Sequence, residues 1–162
     1  MWPRWAKPFP IELIEAEWET IPATSGIYVI MTRKPIRRVG GFDRRGILYV
    51  GKAIVLRERL DKFWNADHIA SDFLRMNLSV AEIILRKKMT KEDDLYPLLA
   101  KLYARIATPI KRGKELDMAE RAILFAYMNR FGELPPLNFS IRARWKDKPS
   151  KDDLRWAGKT II

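Results

Sequence analysis

The chain has 162 residues, enough for one domain that buries roughly two thirds of its unfolded surface without disulfides or metal staples. It has no cysteine and one histidine, which excludes disulfides, thiolate-bound zinc and a histidine-rich metal site, so any metal must sit on oxygen. Thirty-one Lys and Arg against twenty Asp and Glu leave a net charge of +11, a surface potential suited to a polyanion, with nucleic acid the leading partner.

The N-terminal stretch, with Pro3, Arg4, Pro8 and Pro10, lacks the apolar core of a signal peptide. No apolar run approaches the ~20 residues of a membrane span, so a cytoplasmic protein without membrane contact is expected. Gly26 to Thr32 is rich in β-branched residues and reads as a buried strand, Ile47 to Val50 as a second, and Gly40-Gly41 supplies a turn between them. The resulting hairpin has a long connection, Arg33 to Gly46. It carries Arg33, Lys34, Arg37, Arg38, Arg44 and Arg45 against Asp43, a one-sided charge that suits contacts with phosphates better than mere solvation.

Ala53 to Trp64 follows a helical period through Val55, Leu56, Leu60, Phe63 and Trp64. Val80 to Leu85 suits a third strand. Asp93 to Ala107 and Lys114 to Arg130 read as two more helices, separated by Pro109 and Gly113, the second ended by Gly132 and Pro135-Pro136. The expected fold is therefore α+β, a small three-stranded antiparallel sheet flanked by helices. It spans residues 1–140, with an N-terminal extension and a helical insertion. Residues 141–162 read as a basic tail, interrupted by Pro149, with Trp145 and Trp156 as anchors.

Several residues in this frame carry chemistry. Glu120 falls at the centre of the stripe of Leu116, Ile123, Leu124, Tyr127 and Phe131, so its carboxylate points inward. An unpaired carboxylate there is costly, and it calls for a metal, strong donors or a buried pair with an arginine. Neighbouring Glu115 and Asp117 suit the helix dipole and need no function. In the helix expected after Gly51, Lys52 and Arg59 are seven residues apart and therefore share a face, with Arg57 turned away; a solvated helix edge would look the same. Tyr28 and Tyr49 lie in adjacent strands and, if these pair antiparallel, reach one side of the sheet, although each alone is an ordinary strand residue. His68 reads as surface or structural.

Taken together, Gly26-Ile27-Tyr28, the run Leu48-Tyr49-Val50-Gly51-Lys52-Ala53, Arg59, Glu120 and Asn138 after Pro135-Pro136 resemble the GIY-YIG nuclease superfamily, and most of all its DNA-repair members. The resemblance covers about residues 20 to 140. The hairpin connection is longer than usual there, and the stretch before Glu120 holds an extra segment. The resemblance implies a stand-alone endonuclease that hydrolyses phosphodiester bonds in DNA, with RNA left open as a substrate. Glu120 would hold one divalent metal, magnesium or manganese, and Arg59 would clamp the scissile phosphate with its planar fork. One of Tyr28 and Tyr49 would be general base, activated by Lys52, metal or substrate, and Asn138 would fix the local backbone. The competing expectation is a binding module of the same fold that holds nucleic acid without cutting it.

Overall fold

A computed structural model describes residues 2–65, 99–138 and 147–161. The first expected strand forms as expected. All seven residues of β2 (Gly26–Thr32) are buried because both faces of the sheet are covered. Tyr28 and Ile30 pack with Ile11, Leu56, Leu60 and Phe63 on one face; Ile27, Val29 and Met31 pack with Leu116, Ala119, Ile123 and Tyr127 on the other. Double coverage explains why β2 reads as a continuous apolar run rather than an alternating one.

The second strand, β5, runs longer than expected, from Ile47 to Ala53, and pairs antiparallel with β2. The helix after it is correspondingly shorter: α1 spans Leu56–Trp64. On the other side of β2 lies β6 (Leu102–Ala107), antiparallel, with Tyr28 opposite Ile106. This corrects the expected helix over Asp93 to Ala107, whose last six residues are strand. The reason is visible in the burial: Leu102, Ala104 and Ile106 are buried, while Tyr103 and Arg105 are half-exposed, a period of two.

The N-terminal extension supplies a fourth strand. β1 (Phe9–Pro10) pairs with β6, and Trp5 bridges to Ala107. Among the described residues the sheet is thus four-stranded in the order β1-β6-β2-β5, not three-stranded, with β1 and β5 at its edges. The strand expected at Val80 to Leu85, the start of the segment at Asp93, His68 and Trp145 lie outside the described residues.

The connection between β2 and β5 folds into its own ribbon, β3 (Ile36–Arg38) against β4 (Gly41–Asp43). Its tip is tied to the end of α2 (Lys114–Phe131), where the Gly40 amide donates to the Phe131 carbonyl at 2.8 Å. Asp43, fully buried, accepts from the Arg45, Gly46 and Ile47 amides and from the Tyr127 hydroxyl. Gly132 ends α2 in the left-handed region, at φ 74°, with its amide closing on Met128.

The expected C-terminal tail is folded along part of its length. Lys151–Ile161 form α3, which shares a core with α2 through Trp156 and Ala157. Trp156 stacks on Trp2 and Trp5, with ring centroids 5.0 and 5.4 Å away. Its indole N–H donates to the Pro3 carbonyl, so both ends of the chain are clasped together. No helix among the described residues is long and apolar enough to cross a membrane.

Candidate functional site at the free edge of β5

Strand register brings the two tyrosines together. Tyr28 stands opposite Gly51 and Tyr49 opposite Ile30, so their side chains are diagonal neighbours on one face. The ring centroids are 5.9 Å apart, and the two hydroxyls share a hydrogen bond. Gly51 makes this possible. A Cβ there would lie 2.5 Å from the Tyr28 hydroxyl oxygen, so the glycine of Tyr49-Val50-Gly51 is the floor on which the first tyrosine rests.

Lys52 sits in β5 opposite Ile27, hence on the other face, towards α2. The helical face expected to join it to Arg59 does not exist, because α1 begins after β5 has ended. The ammonium instead bridges two carboxylates of α2, Asp117 and Glu120, each at 2.8 Å. Glu120 is therefore at the border of the apolar stripe rather than at its centre, with its side chain 21 % exposed. Its partner is a lysine, not the arginine weighed from sequence. Asp117, read as a simple dipole partner, belongs to the same cluster; its place three residues before Glu120 was the available signal.

Arg59 is exposed on α1 beside a cleft of about 240 Å³ that it lines with Ala53, Ile54, Val55, Glu58 and Lys62. Arg57 is committed elsewhere: it donates to the Ile21 and Glu19 carbonyls and lies over the Trp18 ring, which agrees with the preference for Arg59. Asn138 closes the free edge of β5. Its Oδ1 accepts from the Val50 amide and its Nδ2 donates to the Val50 carbonyl, both at 2.9 Å, while the Leu137 amide donates to Leu48. A single side-chain amide thus replaces a fifth strand at the residue between Tyr49 and Gly51.

The electrostatics follow from this placement. Burial, then the Tyr49 phenol, pushes the Tyr28 phenol well above its usual value, against the pull of Arg59. Burial and the Glu120 charge raise the half-buried Tyr49 as well, opposed by the Tyr28 hydrogen bond, Arg59 and Lys52. For Lys52, burial lowers the pKa, but the bonds from Asp117 and Glu120 outweigh it and the ammonium is held more firmly protonated.

The arginines of the hairpin connection divide. Arg38 is held by an ion pair to Glu133 at 3.0 Å and a bond to the Leu134 carbonyl, with its side chain 11 % exposed, so it serves the ribbon's attachment. Arg33 is exposed and lies over the Tyr103 ring; Lys34 and Arg45 are half-buried. Arg37 and Arg44 are exposed. Arg44, Arg45 and Arg130 line a cleft of about 560 Å³ with Phe42, itself 64 % exposed. Because Asp43 is buried within the ribbon, the surface of this element is cationic.

Among the described residues no group of three or more His, Cys, Asp or Glu converges as a metal site. The carboxylates that Lys52 bridges at the edge are those of Glu120, which is partly exposed, and Asp117, which is exposed. Comparison of the chain with models of known protein families, with curated proteins and with solved structures finds no match.

Proposed function

We propose that this chain is a GIY-YIG-type, metal-dependent endonuclease that hydrolyses phosphodiester bonds in DNA. The observation that carries the reading is the convergence of Tyr28, Tyr49, Lys52, Glu120 and Asn138, from four separate segments, around the free edge of β5. Arg59 joins them electrostatically, since its charge acts on both phenols.

In this reading Tyr49 is the general base and Tyr28 its support. Tyr49 is the less buried phenol, so desolvation disfavours its phenolate less than that of Tyr28, and Arg59 and Lys52 both favour it. Both phenols stay protonated in the free protein at neutral pH, so proton abstraction from water needs added positive charge at the site. Arg59 clamps the scissile phosphate through its planar fork and offsets charge developing on the phosphoryl oxygens. Asn138 positions Tyr49 by fixing the backbone next to it. A partly exposed carboxylate in a chain without cysteine and with one histidine suits magnesium or manganese, held by Glu120 with water, which when bound would supply Lewis acidity and a more acidic water. The Lys52 bridge does not preclude this, since a partly exposed ion pair contributes about 0–1 kcal/mol and is displaced at little cost.

One observation favours a second reading. The Lys52, Asp117 and Glu120 cluster is internally neutralised to a degree that a non-cutting nucleic-acid-binding module would also tolerate. The two differ in one experiment. Glu120→Ala and Arg59→Ala are each expected to lower the rate of hydrolysis of an end-labelled DNA by at least ~100-fold while binding stays within a few fold. Cleavage by either variant near the wild-type rate would remove the site assignment.

A further inference from the structure

Strand register sorts the side chains of the β3–β4 ribbon into two faces. Ile36 stands opposite Asp43, and Arg37 opposite Phe42. Ile36 and Asp43 are buried beneath the ribbon, so Arg37 and Phe42, one residue along, form a cross-strand pair on the face turned to solvent. A lone exposed apolar side chain is ordinary, but among the described residues three large ones are exposed, and two of them, Val39 and Phe42, belong to this ribbon. The ribbon is anchored from below and at its tip. Asp43 accepts from the Ile47 amide, the Gly40 amide donates to the Phe131 carbonyl, the Val39 amide donates to the Glu133 carboxylate at 2.8 Å, and Arg38 pairs with that same carboxylate. A Cβ at Gly40 would lie 2.9 Å from the Arg130 carbonyl oxygen, so glycine is what lets the tip rest on the end of α2. Asp43 and Glu133 are both engaged in this attachment, and the side chains left beside the ring are cationic. Arg37, Arg44 and Arg130 are exposed, and the described residues that line the cleft of about 560 Å³ next to Phe42 include three arginines and no acid.

We propose that the outer face of this ribbon binds a nucleic-acid strand at an unpaired base, with the Phe42 ring stacked on the base and Arg37, Arg44 and Arg130 on the flanking phosphates. A partner for this face must offer negative charge and a flat apolar surface side by side, and each nucleotide of a strand carries both. Within a duplex the base faces are covered by their neighbours. A phenyl ring has no donor or acceptor with which to read base edges, so it gains its contact from a base that is out of the stack, and it does so whatever the base. The arginines take phosphates of paired and unpaired nucleotides alike, so a bulge, a gap or a single-stranded end flanked by duplex meets both requirements. Anchoring of the ribbon adds to the contact, because the ring is already held out before the strand arrives. The contact rests on nucleic acid as the partner and not on catalysis, and it holds for a cutting and a non-cutting protein alike.

Fluorescence anisotropy of the full-length protein, in chelator, tests this with three end-labelled DNAs of equal length: a single strand, a duplex with one central unpaired base, and a fully paired duplex. Phe42→Ala is expected to weaken binding of the first two by about tenfold, the loss of one stacked base, and of the third by less than about twofold. The slope of log affinity against log salt should stay as in wild type, because no charge is altered. Phe42→Trp, which keeps an aromatic face, should restore the lost affinity. Phe42 is exposed, so neither substitution disturbs the core. Equal weakening of all three DNAs, or affinities in Phe42→Ala within about twofold of wild type on every one, overturns the proposal. Poly-glutamate that binds as tightly as the single strand, with the same loss in Phe42→Ala, also overturns it and assigns the face to an acidic protein. Every titration lacks free metal, so failure of the nuclease reading neither produces nor hides these outcomes.

Discussion

At position 51 a single methyl group decides whether Tyr28 can keep its place. Alanine there would set its Cβ 2.5 Å from the Tyr28 hydroxyl and force a ring held in a tightly packed core to move. Overpacking of this kind costs about 1–3 kcal/mol. Gly51→Ala is therefore expected to melt lower by a corresponding amount and to lose DNA cleavage much more than DNA binding; unchanged cleavage would mean that the Tyr28 position is immaterial. A second expectation concerns protons. Tyr28, Tyr49 and Tyr127 all have phenols raised by burial, and an unfolded phenol ionises near ~10. Above that pH the unfolded chain sheds protons that the fold retains, so the stabilisation present below about pH 10 is lost as pH rises towards the folded values. The melting temperature should fall between roughly pH 9 and 11, and less steeply in Tyr28→Phe. Equal slopes in the two proteins would show that the fold does not hold this phenol neutral.

Among the elements, the edge of β5 is the one whose integrity the site needs, and Asn138 supplies it with two bonds to Val50. At about 1 kcal/mol for each bond lost, Asn138→Ala is expected to destabilise the protein by about 1–2 kcal/mol and to reduce cleavage, because Tyr49 precedes the loosened residue. Melting and rate measurements on that variant check both. β2, β5 and α2 were legible in sequence from β-branched content, helical period and the stop at Gly132. β6 was not: Leu102 and Ile106 fit a helical stripe as well as a strand, and strand pairing across β2, a long-range contact, decided the matter. The same limit applied to the site. The wheel brought Glu120 towards the sheet, yet it could not show that Lys52, assigned to a helix edge, lay in a strand facing that carboxylate. Burial of Asp43 and the pairing of Arg38 with Glu133 were equally invisible, being tertiary bonds between segments far apart in the chain.

For the whole molecule the net charge of +11 is distributed with a purpose that the fold makes readable. The ribbon of β3 and β4 buries its one acid, ties down Arg38 and leaves Arg37 and Arg44 exposed beside Phe42. If these two contact duplex phosphates, replacing both with glutamine should reduce the slope of log affinity against log salt by about 1.8, or 0.9 for each contact. A slope equal to wild type would place the duplex elsewhere on the surface. The sheet is covered on both faces and both chain ends are clasped by the Trp2, Trp156 and Trp5 stack, while Lys52 and Glu120 at the β5 edge stay partly exposed.

The most direct measurement is incubation of supercoiled plasmid with the wild-type protein and with Glu120→Ala, each in magnesium and in chelator, with nicked, linear and fragmented products resolved on a gel. Nicking or linearisation that requires both magnesium and Glu120 is the result the account predicts. Intact plasmid under every condition, with DNA still bound, or cutting that persists in Glu120→Ala, would contradict it.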